Sequence, residues 1–120
     1  MNYIYKNITG NTAVELLSSS QLKNKMIRKI HMVNKHLADS VKVSIYLQRS
    51  DIVDVPTSTN DWTPTETTET YSILNTLILP VRGIFVLEQE DILIDYKNPR
   101  YSLYIHLNGA DSVVDVIIKN

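Results

Sequence analysis

The chain has 120 residues, with 12 basic and 13 acidic side chains, a net charge of −1 and no cysteine. One domain of ordinary size suits that length, and it can bury a sizeable core without staples. The charge balance excludes a global field for nucleic acid or an anionic membrane. The missing thiols exclude a disulfide scaffold, a thiolate nucleophile and a cysteine-ligated zinc, and fit synthesis in a reducing cytosol. No apolar run reaches the ~18 residues of a spanning helix. The start "MNYIYKNITG", read as the beginning of translation, lacks the basic start and apolar core of a signal peptide.

In chain order, the first marked segment is basic. Residues 21–37 hold Lys23, Lys25, Arg28, Lys29 and Lys35 and no acid. Leu22, Met26, Ile30, Val33 and Leu37 fall at helical spacing, but "RKIHMVN" also reads as a strand with Ile30 and Met32 on one face. The strand-rich context decides for the strand, with "NKHLAD" as a hairpin loop after it. "SVKVSIYLQ" (40–48) then alternates, placing Val41, Val43, Ile45 and Leu47 inward.

Residues 49–69 read as one long loop, crowded with Thr, Ser, Asp, Asn and Pro. Its length exceeds the ~4–6 residues usual in compact domains, which marks it as a functional or a disordered segment. Residues 51–70 hold Asp51, Asp54, Asp61, Glu66 and Glu69 and no base. The only tryptophan, Trp62, sits in the middle. A tryptophan there either pins the loop to its own domain or anchors a partner. The basic and acidic segments are either two solvated surfaces or complementary patches on neighbouring copies.

"TYSILNTLILPVRGIFVLEQEDILID" (70–95) reads as a three-stranded meander. Its strands end at Pro80, turn at Gly83, return through "IFVLE" and finish in "ILIDY" (92–96), with Leu77, Leu79, Phe85 and Leu87 as core contributors. "YSLYIHLN" (101–108) turns Leu103, Ile105 and Leu107 inward, and Asn108-Gly109 signals a hairpin. "SVVDVIIKN" (112–120) places Val114, Val116 and Ile118 on one face. About eight strands with such punctuation predict an all-β antiparallel sandwich, jelly-roll or Ig-like, as a single domain over 1–120 with the long loop at 49–69.

Residues that carry chemistry are sparse. His31, His36 and His106 show no metal-ligand spacing and read as surface or edge histidines. Glu88, Glu90, Asp91 and Asp95 cluster near a turn without a calcium-loop pattern, so solvation explains them. There is no nucleophile elbow, phosphate loop or dinucleotide fingerprint. No enzyme, metal or cofactor is expected. "NIT" (7–9) matches a glycosylation sequon, taken as a chance match without a signal peptide. Seven tyrosines keep a carbohydrate-binding or host-adhesion module open, although tyrosine equally suits half-buried sheet positions.

The segments "SVKVSIYL", "TYSILNTLILPVRGIFVLEQEDILID" and "YSLYIHLNGADSVVDVII" together resemble small β-sandwich virion proteins of tailed bacteriophages, especially those of marine and cyanobacterial phages. The weaker start "NYIYKNI" is consistent with that likeness. The acidic segment 51–69, the basic run 21–37 and "PVRG" depart from it. The resemblance implies a non-enzymatic virion protein made in the host cytoplasm and present in many copies. A capsid decoration (cement) protein on the major capsid protein comes first, then a neck or tail accessory protein. Homo-oligomers and other virion proteins are the expected partners, with no nucleic acid and no membrane. The expected partner interface comprises Asp51, Asp54, Asp61 and Trp62 of the acidic segment and Lys23, Lys25 and Arg28 of the basic one.

Overall fold

The computed structural model describes the backbone of residues 2–56 and 62–120, and the side chains of 2–49 and 68–120. Eight strands form two antiparallel four-stranded sheets: β1 Tyr3–Thr9, β2 Val14–Leu17, β3 Lys29–Asn34, β4 Val41–Pro56, β5 Trp62–Leu79, β6 Ile84–Glu88, β7 Ser102–Leu107 and β8 Val113–Lys119. The first sheet has the order β1-β8-β3-β6 and the second β2-β7-β4-β5. Each strand thus pairs with its counterpart counted from the other end of the chain: β1 with β8, β2 with β7, β3 with β6, β4 with β5. This is the topology of a long hairpin folded over on itself, the jelly-roll form of the expected sandwich.

The inward faces follow the period-2 alternation. Val41, Val43, Ile45 and Leu47 of β4, Leu103, Ile105 and Leu107 of β7, and Val114, Val116 and Ile118 of β8 are all buried. So are Ile30 and Met32, which settles residues 29–34 as strand rather than helix. A bulge in β2 between Glu15 and Leu17 turns both Leu16 and Leu17 inward. One helical turn, α1 (Ser19–Leu22), closes that edge. Ser18 and Gln21 form a reciprocal capping box, and Leu22 is fully buried.

Four expectations are corrected. The 70–95 meander is not one sheet: β5 and β6 lie in different sheets, joined by the Pro80–Gly83 turn. The Gly83 N–H donates to the Pro80 carbonyl at 2.7 Å, and Arg82 takes a φ of 59°. A Cβ on Gly83 would lie 2.8 Å from the Pro80 ring and carbonyl, so the close approach requires glycine. Likewise the 35–40 and 108–112 connections cross between sheets instead of closing hairpins. Turn residues mark a reversal, but nothing local says which sheet the next strand joins.

Residues 92–96 are not a strand. A 3-10 turn at Gln89–Asp91 leads into irregular chain that buries Ile92 and leaves Leu93 79% exposed. Finally, 49–69 is largely not loop. β4 and β5 pair continuously from Arg49↔Glu69 to Pro56↔Trp62. Threonine favours strands whatever its polarity, so its abundance is compatible with the pairing of β4 and β5.

Candidate functional site

That ribbon is the most distinctive element. β4 pairs with β7 only from Val43 to Gln48, and beyond Gln48 it pairs only with β5 among the described residues. Eight residue pairs, roughly 26 Å at about 3.3 Å per residue, therefore leave the sandwich as an arm. Isolated two-stranded ribbons are marginal in water, so such an arm gains most of its order from something it lies against.

The arm's root is clamped. Arg49 Nη2 lies 3.5 Å from Glu69 Oε2, across a registered pair. The Tyr101 hydroxyl donates to the same oxygen at 2.9 Å, and the Arg49 guanidinium sits 5.3 Å from the centre of the Tyr101 ring. Tyr71 meets that ring edge-on at 5.4 Å. The hydrogen bond to Glu69, followed by desolvation, raises the Tyr101 hydroxyl above the ordinary tyrosine value. Four side chains from β4, β5 and the approach to β7 thus fix the direction in which the arm departs. Shallow clefts of about 310 and 490 Å³ flank Tyr101; Tyr71, Asp91, Leu93 and Asp95 line the larger one.

The two outward sheet faces differ in kind. The second sheet shows Glu15, Tyr104, Tyr46 and Ser72 in one registered row, with Ser44, His106, Ser102 and Gln48 on either side. Tyr46 and Tyr104 stack at 5.7 Å, and the Tyr104 hydroxyl donates to Glu15 at 3.3 Å. That face is wet, as a sandwich exterior should be. In the first sheet one row runs Tyr5–Ile117–His31–Val86 across all four strands, flanked by the rows Asn7–Asp115–Val33–Ile84 and Tyr3–Lys119–Lys29–Glu88. Tyr5 is 72% and Ile84 62% exposed. His31 Nδ1, in the middle of the row, is buried and has no hydrogen-bond partner.

The structure brings together one titratable cluster that spacing does not reveal. His36, Asp39 and Asp111 place their ligand-type atoms within 4.8 Å of one another. The imidazole Nδ1 accepts the backbone N–H groups of Ala38 and Asp39 at 3.1 and 2.9 Å, so the neutral ring carries its proton on Nε2. Nε2 lies 3.1 Å from Asp111 and 3.8 Å from Asp39. The neutral ring therefore donates to the Asp111 carboxylate and has no free lone pair for an ion. The cluster is a clasp between the β3–β4 and β7–β8 connections.

The hydrogen bond from His36 comes first among the causes that hold the Asp111 carboxyl below its ordinary value. A lowered folded pKa favours the fold above the ordinary carboxylate range. That contribution is lost as the pH falls through the lowered value. We expect His36→Ala to raise the Asp111 midpoint toward the ordinary range in a carbon-13 carboxyl titration, with the backbone hydrogen bond still holding it down. An unmoved midpoint would break the clasp assignment.

Of the interface residues expected from sequence, Lys23, Lys25 and Arg28 are exposed on the connection between α1 and β3. That connection is tied down at two points: the Arg28 N–H donates to the Lys119 carbonyl at 2.7 Å and the Asn24 N–H to the Tyr96 carbonyl at 2.8 Å. Asp51, Asp54 and Trp62 lie on the paired backbone of the arm, but their side chains lie outside the described residues, as does all of Asp61. The mainly apolar row on the outer face of the first sheet was not anticipated. Its signal was present in "VVDVII", where two of the three outward positions, Val113 and Ile117 on either side of Asp115, are apolar. Comparison with protein-family models and with curated proteins returns no match. No helix among the described residues is long and apolar enough to cross a membrane.

Proposed function

We propose that this chain is a non-enzymatic structural protein of a tailed-phage virion, and specifically a capsid decoration (cement) protein that works as a homo-oligomer on the major capsid protein. The observation that carries this reading is the arm clamped at its root, a two-stranded ribbon that beyond Gln48 pairs with no further strand among the described residues. An element of that kind is suited to contact with neighbours. The mainly apolar row Tyr5–Ile117–His31–Val86 on the outer face of the first sheet adds surface of the sort that assemblies cover. The likeness in sequence supplies the virion setting.

The expected result is recovery of the protein with intact particles at high copy number, with loss of particle heat resistance when it is stripped off. Trp62→Ala combined with Asp54→Lys is expected to weaken particle binding while leaving the melting temperature of the free protein nearly unchanged. Unfolding of the free protein by that double variant would make the arm structural and sink the reading. A carbohydrate-binding or host-adhesion module is the second reading, favoured by the cleft where Tyr71, Tyr101 and Leu93 meet Asp91 and Asp95. Binding on a glycan array, lost in Tyr71→Ala, would shift the assignment to it.

A further inference from the structure

We infer that a second copy of this chain docks where the α1–β3 connection runs beside the Gln89–Asp91 turn: the turn and Leu93 of each copy enter the basic cleft of the other. The inference rests on the proposed homo-oligomeric assembly and says which surfaces meet.

The two segments are built as neighbours. Lys29 pairs with Glu88 in register, the Gln89 Nε2 amide donates to the Met26 thioether at 2.9 Å, and the Asn24 N–H donates to the Tyr96 carbonyl at 2.8 Å. Both are anchored in the core, the first by Leu22 and Ile27 and the second by Ile92, all buried. Asn24 holds a φ of 58°, which asparagine tolerates better than most residues. Surfaces fixed in this way lose little freedom on docking.

Their charges are opposite and unpaired. Lys23, Lys25 and Arg28 are exposed on the connection, and residues 21–37 carry no acid. Glu90, Asp91 and Asp95 are exposed on the other segment, and residues 88–96 carry no base. Among the described residues none of these six side chains forms an ion pair; Glu88 does, with Lys29 at 3.8 Å. Lys97 and Arg100 follow the acidic stretch, and Arg100 lines the separate cleft beside Tyr101. Two opposite patches lying side by side are self-complementary about a twofold axis between them. Such an axis sets each patch against its opposite in the partner, which steers the approach and fixes the register.

The basic segment is also concave. Asn2, Asn24, Lys25, Met26, Arg28 and Asn120 line an open cleft of about 520 Å³. On the far side of Met26, Leu93 flanks the turn and is 79% exposed, and Met26 itself is 45% exposed. Two apolar side chains between opposite charges have the make-up of an interface centre with a polar rim. Closed contact of this kind satisfies both clefts at once and leaves neither free to propagate.

The test is a charge swap read by sedimentation equilibrium. The wild type is expected to be a dimer. Lys25→Glu with Arg28→Glu sets an acidic cleft against an acidic turn, and Glu90→Lys with Asp91→Lys sets a basic cleft against a basic turn. Each variant alone should associate at least ~10-fold more weakly, and an equimolar mixture should recover the dimer, because both contacts then join opposite signs. All four positions are exposed, and thermal melts check that the fold is kept. Leu93→Ala should weaken association too, with little change in the melting temperature of dilute protein.

In the wild type, dilution should shift the backbone amide resonances of Lys25, Met26, Glu90 and Leu93 and leave those of Glu15 and Tyr104 in place. A monomeric wild type, swapped variants that associate like the wild type, a mixture that fails to recover, or dilution shifts confined to the second sheet would each overturn the docking. Recovery with intact particles tests the virion reading separately: a monomer found on particles would sink the dimer and keep that reading.

Discussion

Asn34→Asp is expected to destabilise the folded chain by about 3 kcal/mol at neutral pH, read as a fall in the urea midpoint with an unchanged slope. Among the described residues Asn34 is one of two buried polar ones, 1% exposed at the end of β3. Its amide Nδ2 faces three backbone carbonyls, those of Asp39 at 3.0 Å and of Leu79 and Pro80 at 3.1 Å. Its Oδ1 accepts the His36 N–H at 2.9 Å, and its own N–H donates to the Gly83 carbonyl at 2.9 Å. One side chain therefore ties two inter-sheet crossings together, the one after β3 and the one after β5.

Aspartate has the same shape but turns a carboxylate oxygen toward three carbonyl oxygens. The donor is lost and a buried charge is added, and each change alone is expensive. Burial and the facing carbonyls would raise that carboxyl's folded pKa above its unfolded one. The deficit relative to wild type is therefore fully present above the raised folded value and shrinks as the pH falls toward the unfolded value, where the protonated acid donates one hydrogen bond. Asn34→Leu serves as the control, with a similar deficit at neutral pH and no such pH dependence. A neutral-pH change under ~0.6 kcal/mol for Asn34→Asp would show that the carbonyls find other partners.

Asn34 also marks where legibility ends. Within β4, β7 and β8 the inward residues are read correctly from alternation alone, because a pleated strand buried on one side leaves no other arrangement for Val43, Ile105 or Val116. The crossings are different. "NKHLAD", "PVRG" and "NGAD" have the composition of hairpin turns, and the decision to cross comes from groups distant in sequence: Asn34 reaching Leu79 and Pro80, His36 reaching Asp111.

The arm was misread for a related reason. Pro56, Pro64 and the acidic residues carry turn signals, whereas the cross-strand pairing that overrides them is visible only once the two halves are laid side by side. The site was half legible. The opposite charges of 21–37 and 51–70 are there to be read, but only the register shows Tyr5, Ile117, His31 and Val86 as a single row.

Neighbouring residues of β8 give the sharpest contrast between what folds the chain and what the fold displays. Ile118 is fully buried between the sheets, opposite Ile4 of β1 and Ile30 of β3. Ile118→Ala removes three buried carbons and leaves a cavity in a close-packed core, and is expected to cost about 3–4 kcal/mol, seen in the urea midpoint at any protein concentration. Ile117, one position earlier, points out of the same sheet between Tyr5 and His31. Ile117→Ala should cost under ~1 kcal/mol, because partly exposed apolar surface contributes little to the fold. Equal losses at both positions would mean that the outer row supports the sheet as much as the core does. Strand parity decides that difference: a shift of one residue moves an isoleucine from the core to the outer face.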